Sequence, residues 1–215
     1  MKIISLSSTI AGPACAVAVS IKKYYNNDYK TNFFDFLEVS LLSIIQVLEI
    51  ANTDIDNILR GNNKIILNKD DKNSVFFNNF DKMISHHDLL KIYTDLDYNN
   101  LIDKYKRRYH RLINSIKEED KIYFIRYGIE DSNNIKYFIY TINRINPNLD
   151  VHFINVNYDS NNLDNNNINN SIKNYYYINF NNYIDSEMKY SDDMFYKTLE
   201  FKWEIVFDLI NKTKI

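Results

Sequence analysis

Four side chains, far apart in the chain, have chemistry to offer: the thiol of Cys15, the carboxyl of Asp35, the imidazole of His87 and the guanidinium of Arg126. Cys15 is the only cysteine, and it follows Gly12-Pro13 at the start of a helical pattern running from Ala14 to Lys23. Unpaired backbone N–H groups and the positive end of the helix dipole converge at such a start and favour a thiolate over a thiol. A cysteine so placed is a nucleophile near neutral pH. The competing reading is a small hydrophobe packing a helix on a sheet, the commoner fate of a free cysteine.

An imidazole within reach of the thiol can take its proton, with an acid orienting the ring. His87 is the first candidate base and its neighbour His86 the second; His86 and Asp88 also stand where they could touch a substrate. Asp88 is a poor orienter of His87, because adjacent side chains on an extended segment point apart. Asp35, inside the run Phe33-Phe34-Asp35-Phe36-Leu37, is the better one. It could equally cap a helix or sit buried and hydrogen-bonded, since an unpaired buried charge is costly. Arg126 could grip a substrate carboxylate or phosphate in a bidentate contact, or pair with a surface acid. The His-His-Asp stretch has no cysteine nearby and no third histidine at helical spacing, too few ligands for a metal. No metal and no cofactor are expected.

These groups need elements to hold them. Lys2 to Ser7 has strand character and runs through small, turn-forming residues into the cysteine helix. Val39 to Ala51 carries a helical stripe, Asp54 to Arg60 a short helix stopped by Gly61, and Lys64–Leu67 with Ser74–Phe77 a hairpin. Asp97 to Glu119 is the best helix, with Asp97 as its cap and a cationic face through Lys104, Lys106, Arg107, Arg108 and Arg111. That face reads as solvated more readily than as an anion site. Beyond Lys121 strands and helices alternate: a strand ending at Arg126, a helix opened by Asp131, a strand over Val151–Val156, and a strand resuming at Tyr175. A last helix runs from Ser191 or Asp192 to about Asn211. Residues 159–171 form an asparagine-rich insertion, expected to be flexible and dispensable. The pattern predicts a single α/β domain over 1–215, with a mostly parallel sheet and helices on both faces. Strand carboxyl ends would then bring Cys15, Asp35, His87 and Arg126 to one rim.

Composition narrows the classes. The 215 residues can bury a real core, and the net charge of -2 gives no footprint for nucleic acid. One cysteine excludes an internal disulfide, and no apolar run reaches the roughly 20 residues of a membrane span. A cytoplasmic protein without membrane or nucleic-acid partners is the expectation. The 18 tyrosines and the surplus of asparagine, isoleucine and lysine read as AT-rich coding rather than as chemistry.

Several short motifs, in order, resemble a family of putative papain-like cysteine peptidases, formally a domain of unknown function found in bacteria and large DNA viruses. They are Ile4-Ser5-Leu6-Ser7, Cys15-Ala16-Val17-Ala18 with Ile21-Lys22-Lys23, Phe34-Asp35-Phe36, His87-Asp88-Leu89, Lys104-Tyr105-Lys106-Arg107-Arg108 and Phe124-Ile125-Arg126. The family usually has glycine where Ser7 stands and a shorter loop before the cysteine. The resemblance implies a thiol hydrolase acting on a peptide, amide or small anionic substrate, in a host cytoplasm if the chain is viral. The rival from another class is a non-catalytic or transferase-like α/β module. It would bind an anionic or sugar-nucleotide ligand at the same rim through Arg126, His87, Asp35 and the Arg107-Arg108 pair.

Overall fold

The computed structural model describes residues 1–8, 16–25, 29–50, 54–61, 63–67, 72–80, 82–128, 130–157, 172–179 and 203–212. In chain order the elements are β1 (Lys2–Ser8), α1 (Ala16–Tyr24), β2 (Leu37–Val39), α2 (Leu41–Glu49), α3 (Ile55–Arg60), β3 (Lys64–Leu67), β4 (Lys72–Phe76) and β5 (Met83–Leu90). There follow α4 (Asp95–Glu118), β6 (Lys121–Tyr127), α5 (Ser132–Ile145), β7 (Asp150–Asn157) and β8 (Tyr175–Asn179), then α6 over 203–212.

The strands make one sheet in the order β3-β4-β5-β2-β1-β6-β7-β8. β1, β6, β7 and β8 run parallel, and β2 joins β1 in parallel through the single pair Ser8↔Glu38. From β2 outward the sheet turns antiparallel, through β5, β4 and β3. The expectation of a mostly parallel sheet therefore holds for one half only. The antiparallel half is built on the histidine stretch, which is itself a strand, β5. Its Ser85 and Leu89 are buried, while Ile84, His86 and Asp88 remain partly exposed, an alternation that two adjacent histidines disguise in the sequence.

Pleating sends successive side chains to opposite faces. On one face Ile3, Tyr123, Ile125, Ile154 and Val156 pack with Val17 and Ile21 of α1 and with Trp203, Val206 and Ile210 of α6. On the other, Ile4, Leu6, Ile122, Phe124 and Phe153 pack with the apolar stripes of α2, α4 and α5. Helices thus cover both faces, as α/β layering requires.

Caps set the helix bounds. Asp54 and Asp131 cap α3 and α5 with their carboxylates, as the sequence indicates. α4 begins two residues earlier than expected, because Thr94 is its cap and Asp97 closes a reciprocal capping box at its third position. Cys15, Gly12 and Pro13, the insertion at 159–171, and the stretch of the last helix before Trp203 all lie outside the described residues.

Candidate active site

The chain turns from one direction of sheet growth to the other at β1. β2 flanks it on one side, and β6, which follows α4, on the other. The crevice beyond the carboxyl end of such a strand is where open α/β sheets hold ligands. β1 ends at Ser8, α1 begins at Ala16, and the seven residues between them in sequence end with Cys15. Ser7 has φ 54, a left-handed conformation that favours glycine, and its hydroxyl donates to the Leu37 carbonyl across the β1–β2 junction.

Asp35 sits beside β1, fully buried and hydrogen-bonded rather than capping a helix. The Tyr29 hydroxyl donates to its Oδ1 at 2.9 Å, and the Asn32 side-chain amide donates to the same oxygen at 3.1 Å. The Asn32 backbone N–H donates to Oδ2 at 2.8 Å. Burial is the largest influence on this carboxyl and outweighs those donors, pushing its pKa up to about 7. Asn32 also reaches the Ser5 carbonyl at 3.3 Å, so the whole knot is fastened to the strand that leads toward Cys15.

On β5, His86 is held at both nitrogens. Nε2 lies 2.9 Å from Glu38 Oε2 on β2, and Nδ1 lies 3.1 Å from the Ser74 hydroxyl on β4. Lys82 pairs with the other Glu38 oxygen at 2.6 Å. Burial raises Glu38, but the hydrogen bonds from Lys82 and His86 outweigh it and hold the carboxyl below its ordinary value. Glu38 is thus an anion that orients an imidazole whose side chain keeps 31% of its surface exposed. It is also the register partner of Ser8, at the last residue of β1. Sequence reasoning missed Glu38; the only signal was a single carboxylate in the short apolar strand Leu37-Glu38-Val39.

His87 belongs to β5, next to His86, and its side chain lies outside the described residues. Asp88 accepts hydrogen bonds from Ser85, Tyr105 and Lys104, so it braces β5 against α4 instead of facing a substrate. Arg126 is fully buried. It donates to the carbonyls of Leu6 at 2.8 Å and Val39 at 2.9 Å and pairs with Glu130 through Nε. Its guanidinium therefore clamps three strands at their carboxyl ends, and the expected substrate grip is corrected on that ground. Asp35 and Arg126 share no partner. By the pleat, Ser5 beside Asp35 lies on the Ile3 and Ile125 face, while Arg126 leaves with Ile122 and Phe124 on the other. Among the described residues no cluster of three or more His, Cys, Asp or Glu could hold a metal ion, and no helix is long and apolar enough to cross a membrane.

Comparison with family models, curated proteins and solved structures finds no match to this chain.

Proposed function

We propose that the protein is a thiol hydrolase of the papain-like kind, with Cys15 as nucleophile and His86, oriented by Glu38, as its general base. The observation that carries this reading is the His86–Glu38 pair, set in register with the end of the strand that leads to Cys15. A base fixed by an acid is the arrangement an activated thiol requires. Ser7 adds support: it takes a left-handed backbone at the position where the resembled family has glycine.

In this scheme the Cys15 proton passes to His86 Nδ1, the nitrogen opposite the one that meets Glu38, in exchange for the hydrogen bond Nδ1 makes with the Ser74 hydroxyl. The thiolate attacks a carbonyl carbon, and backbone N–H groups opening α1 stabilise the oxyanion. His86 returns the proton to the leaving amine, and water then releases the acyl group from sulfur. Asp35 has no part in proton transfer; it fixes the strand that precedes Cys15 in sequence. The anionic-ligand alternative loses its best cation, because Arg126 is spent on Leu6, Val39 and Glu130.

Iodoacetamide alkylation of Cys15 across pH, read by intact mass, tests the proposal. The wild type should react with an apparent pKa clearly below the roughly 8.5 of a free cysteine. His86→Ala and Glu38→Gln should move it back toward that value, and His87→Ala should move it least. An ordinary thiol profile, indifferent to all three substitutions, would end the hydrolase reading.

A further inference from the structure

We propose that the protein binds a phosphate monoester of a small hydroxylated molecule, in a groove at the amino end of the sheet, a role independent of the hydrolase reading. The groove has a volume of about 430 Å³ and lies between the start of β1 and the C-terminal half of α4, with Lys2, Arg107, His110 and Arg111 among its walls. Lys2 opens β1 and Ser8 closes it, so the length of that strand, roughly 20 Å, separates the groove from the rim where the Cys15 loop begins. The cationic face of α4 is not one uniformly solvated surface. Lys104 pairs with Asp88, and Lys106 with Asp56 at 3.4 Å. Arg107 and Arg111, one turn apart on the groove side, have no carboxylate partner among the described residues, and like charges at that spacing repel.

Two of these cations are held in place by neutral oxygens, which fix position without cancelling charge. Arg111 donates to the Thr31 carbonyl. Lys2 reaches the next turn of the helix, where its ammonium donates to Ser115 Oγ at 2.6 Å, and Ser115 donates in turn to the Arg111 carbonyl at 2.6 Å. The helix dipole does not account for the arrangement, because its pull fades within the last turn while Arg107 and Arg111 stand about three and two turns before Glu118. Of the two acids on the walls, Glu119 pairs with the Met1 amino group at 3.0 Å, which leaves Glu118. Lys2, Arg107 and Arg111 against Glu118 give a surplus of two positive charges, a match for the dianion of a phosphate monoester, whose oxygens suit the arginine fork. Glu118 keeps the anion away from its own end of the groove and, with Asn114, offers an acceptor and an amide to hydroxyls there. A bare phosphate would fill only a small part of a groove of this size, which suits a small organic ligand. Nucleic acid fits less well, since the surplus is local to one groove on a chain of net charge -2.

Titration calorimetry on the full chain at low ionic strength, with ribose 5-phosphate, inorganic phosphate and ribose as probes, tests the assignment. Ribose 5-phosphate should bind saturably, inorganic phosphate at least ~3-fold more weakly, and ribose not at all. Arg107→Gln and Arg111→Gln should each weaken ribose 5-phosphate at least ~10-fold, through the loss of a charge-assisted contact. Arg107 is exposed and has no carboxylate partner to lose among the described residues, so its variant reports on binding without disturbing the fold, which circular dichroism checks. Lys117→Gln removes an exposed charge of the same helix away from the groove walls and should change binding by less than about 2-fold. Cys15→Ser should bind as the wild type does, which separates this site from the hydrolase reading. No saturable binding of either phosphate up to about 20 mM, or binding indifferent to both arginine variants, overturns the site. Inorganic phosphate bound as tightly as ribose 5-phosphate overturns the organic ligand, and a loss at Lys117→Gln equal to that at Arg107→Gln overturns the groove as its place.

Discussion

The two halves of the sheet are built on different terms. In the parallel half, β6 and β7 are buried along almost their whole length and pair residue for residue over seven positions. In the antiparallel half, β3 is four residues long and mostly exposed, and β4 and β5 shift register between Asn73 and Val75. Burial on both faces, with Arg126, His152 and Asn155 hydrogen-bonded inside it, makes the first half a rigid platform. The second half tolerates polar groups because one side of it is wet, and it carries His86, Glu38, Asp88 and Lys82. The lesson is a division of labour: one half holds shape, and the other holds ionisable groups against it.

The largest expected effect is at the tie between the halves. Arg126→Met should cost about 3–5 kcal/mol, because it leaves the buried Glu130 carboxylate unpaired and strips donors from Leu6 and Val39. Urea unfolding measures it; a loss under about 1 kcal/mol would mean that the halves are joined by packing alone.

Next comes Asp35, whose folded pKa of about 7 lies above the unfolded value of about 4. Between those two values the folded state binds more protons than the unfolded one, so stability falls as pH rises through that window and levels off above it. The slope should approach 1.4 kcal/mol per pH unit at most, roughly, and Asp35→Asn should flatten it. A wild-type stability that instead rises between about pH 4 and about pH 7, with no difference from the variant, contradicts the raised carboxyl.

The smallest effect is predicted at the sheet's open edge. Ile66→Ala on β3 should change stability by no more than about 0.5 kcal/mol, whereas Phe124→Ala in the parallel half should cost about 3–5 kcal/mol. Similar losses from the two melts would erase the contrast drawn between the halves.

How much of this was legible follows the same division. Ile122-Tyr123-Phe124-Ile125 and Val151 to Val156 declare themselves as buried strands, and Asp54 and Asp131 declare the helices they cap. β5 does not, because its polar residues are satisfied by partners on other strands, and pairing across a sheet leaves no trace in local periodicity. The same holds for Glu38, whose role depends on a histidine 48 residues away. Arg126 was legible as special but not as buried: what spends its charge is Glu130, one helical turn's spacing onward, together with two carbonyls from the first forty residues. A sequence shows which groups are unusual far better than it shows who answers them.

The central position of β1 also has a bearing on how the chain is made. Its parallel partner is β6, with Lys2 opposite Ile122, while its other neighbour β2 meets it at one pair only. A ribosome must therefore deliver Lys121 to Tyr127 before β1 finds its main mate. Such distant closure is slow, since the intervening chain must be gathered before the contact rewards it. Until then an apolar strand, Ile3-Ile4-Ser5-Leu6, waits with an open edge, and nascent chains halted before Lys121 would be the form of this protein most in need of a chaperone.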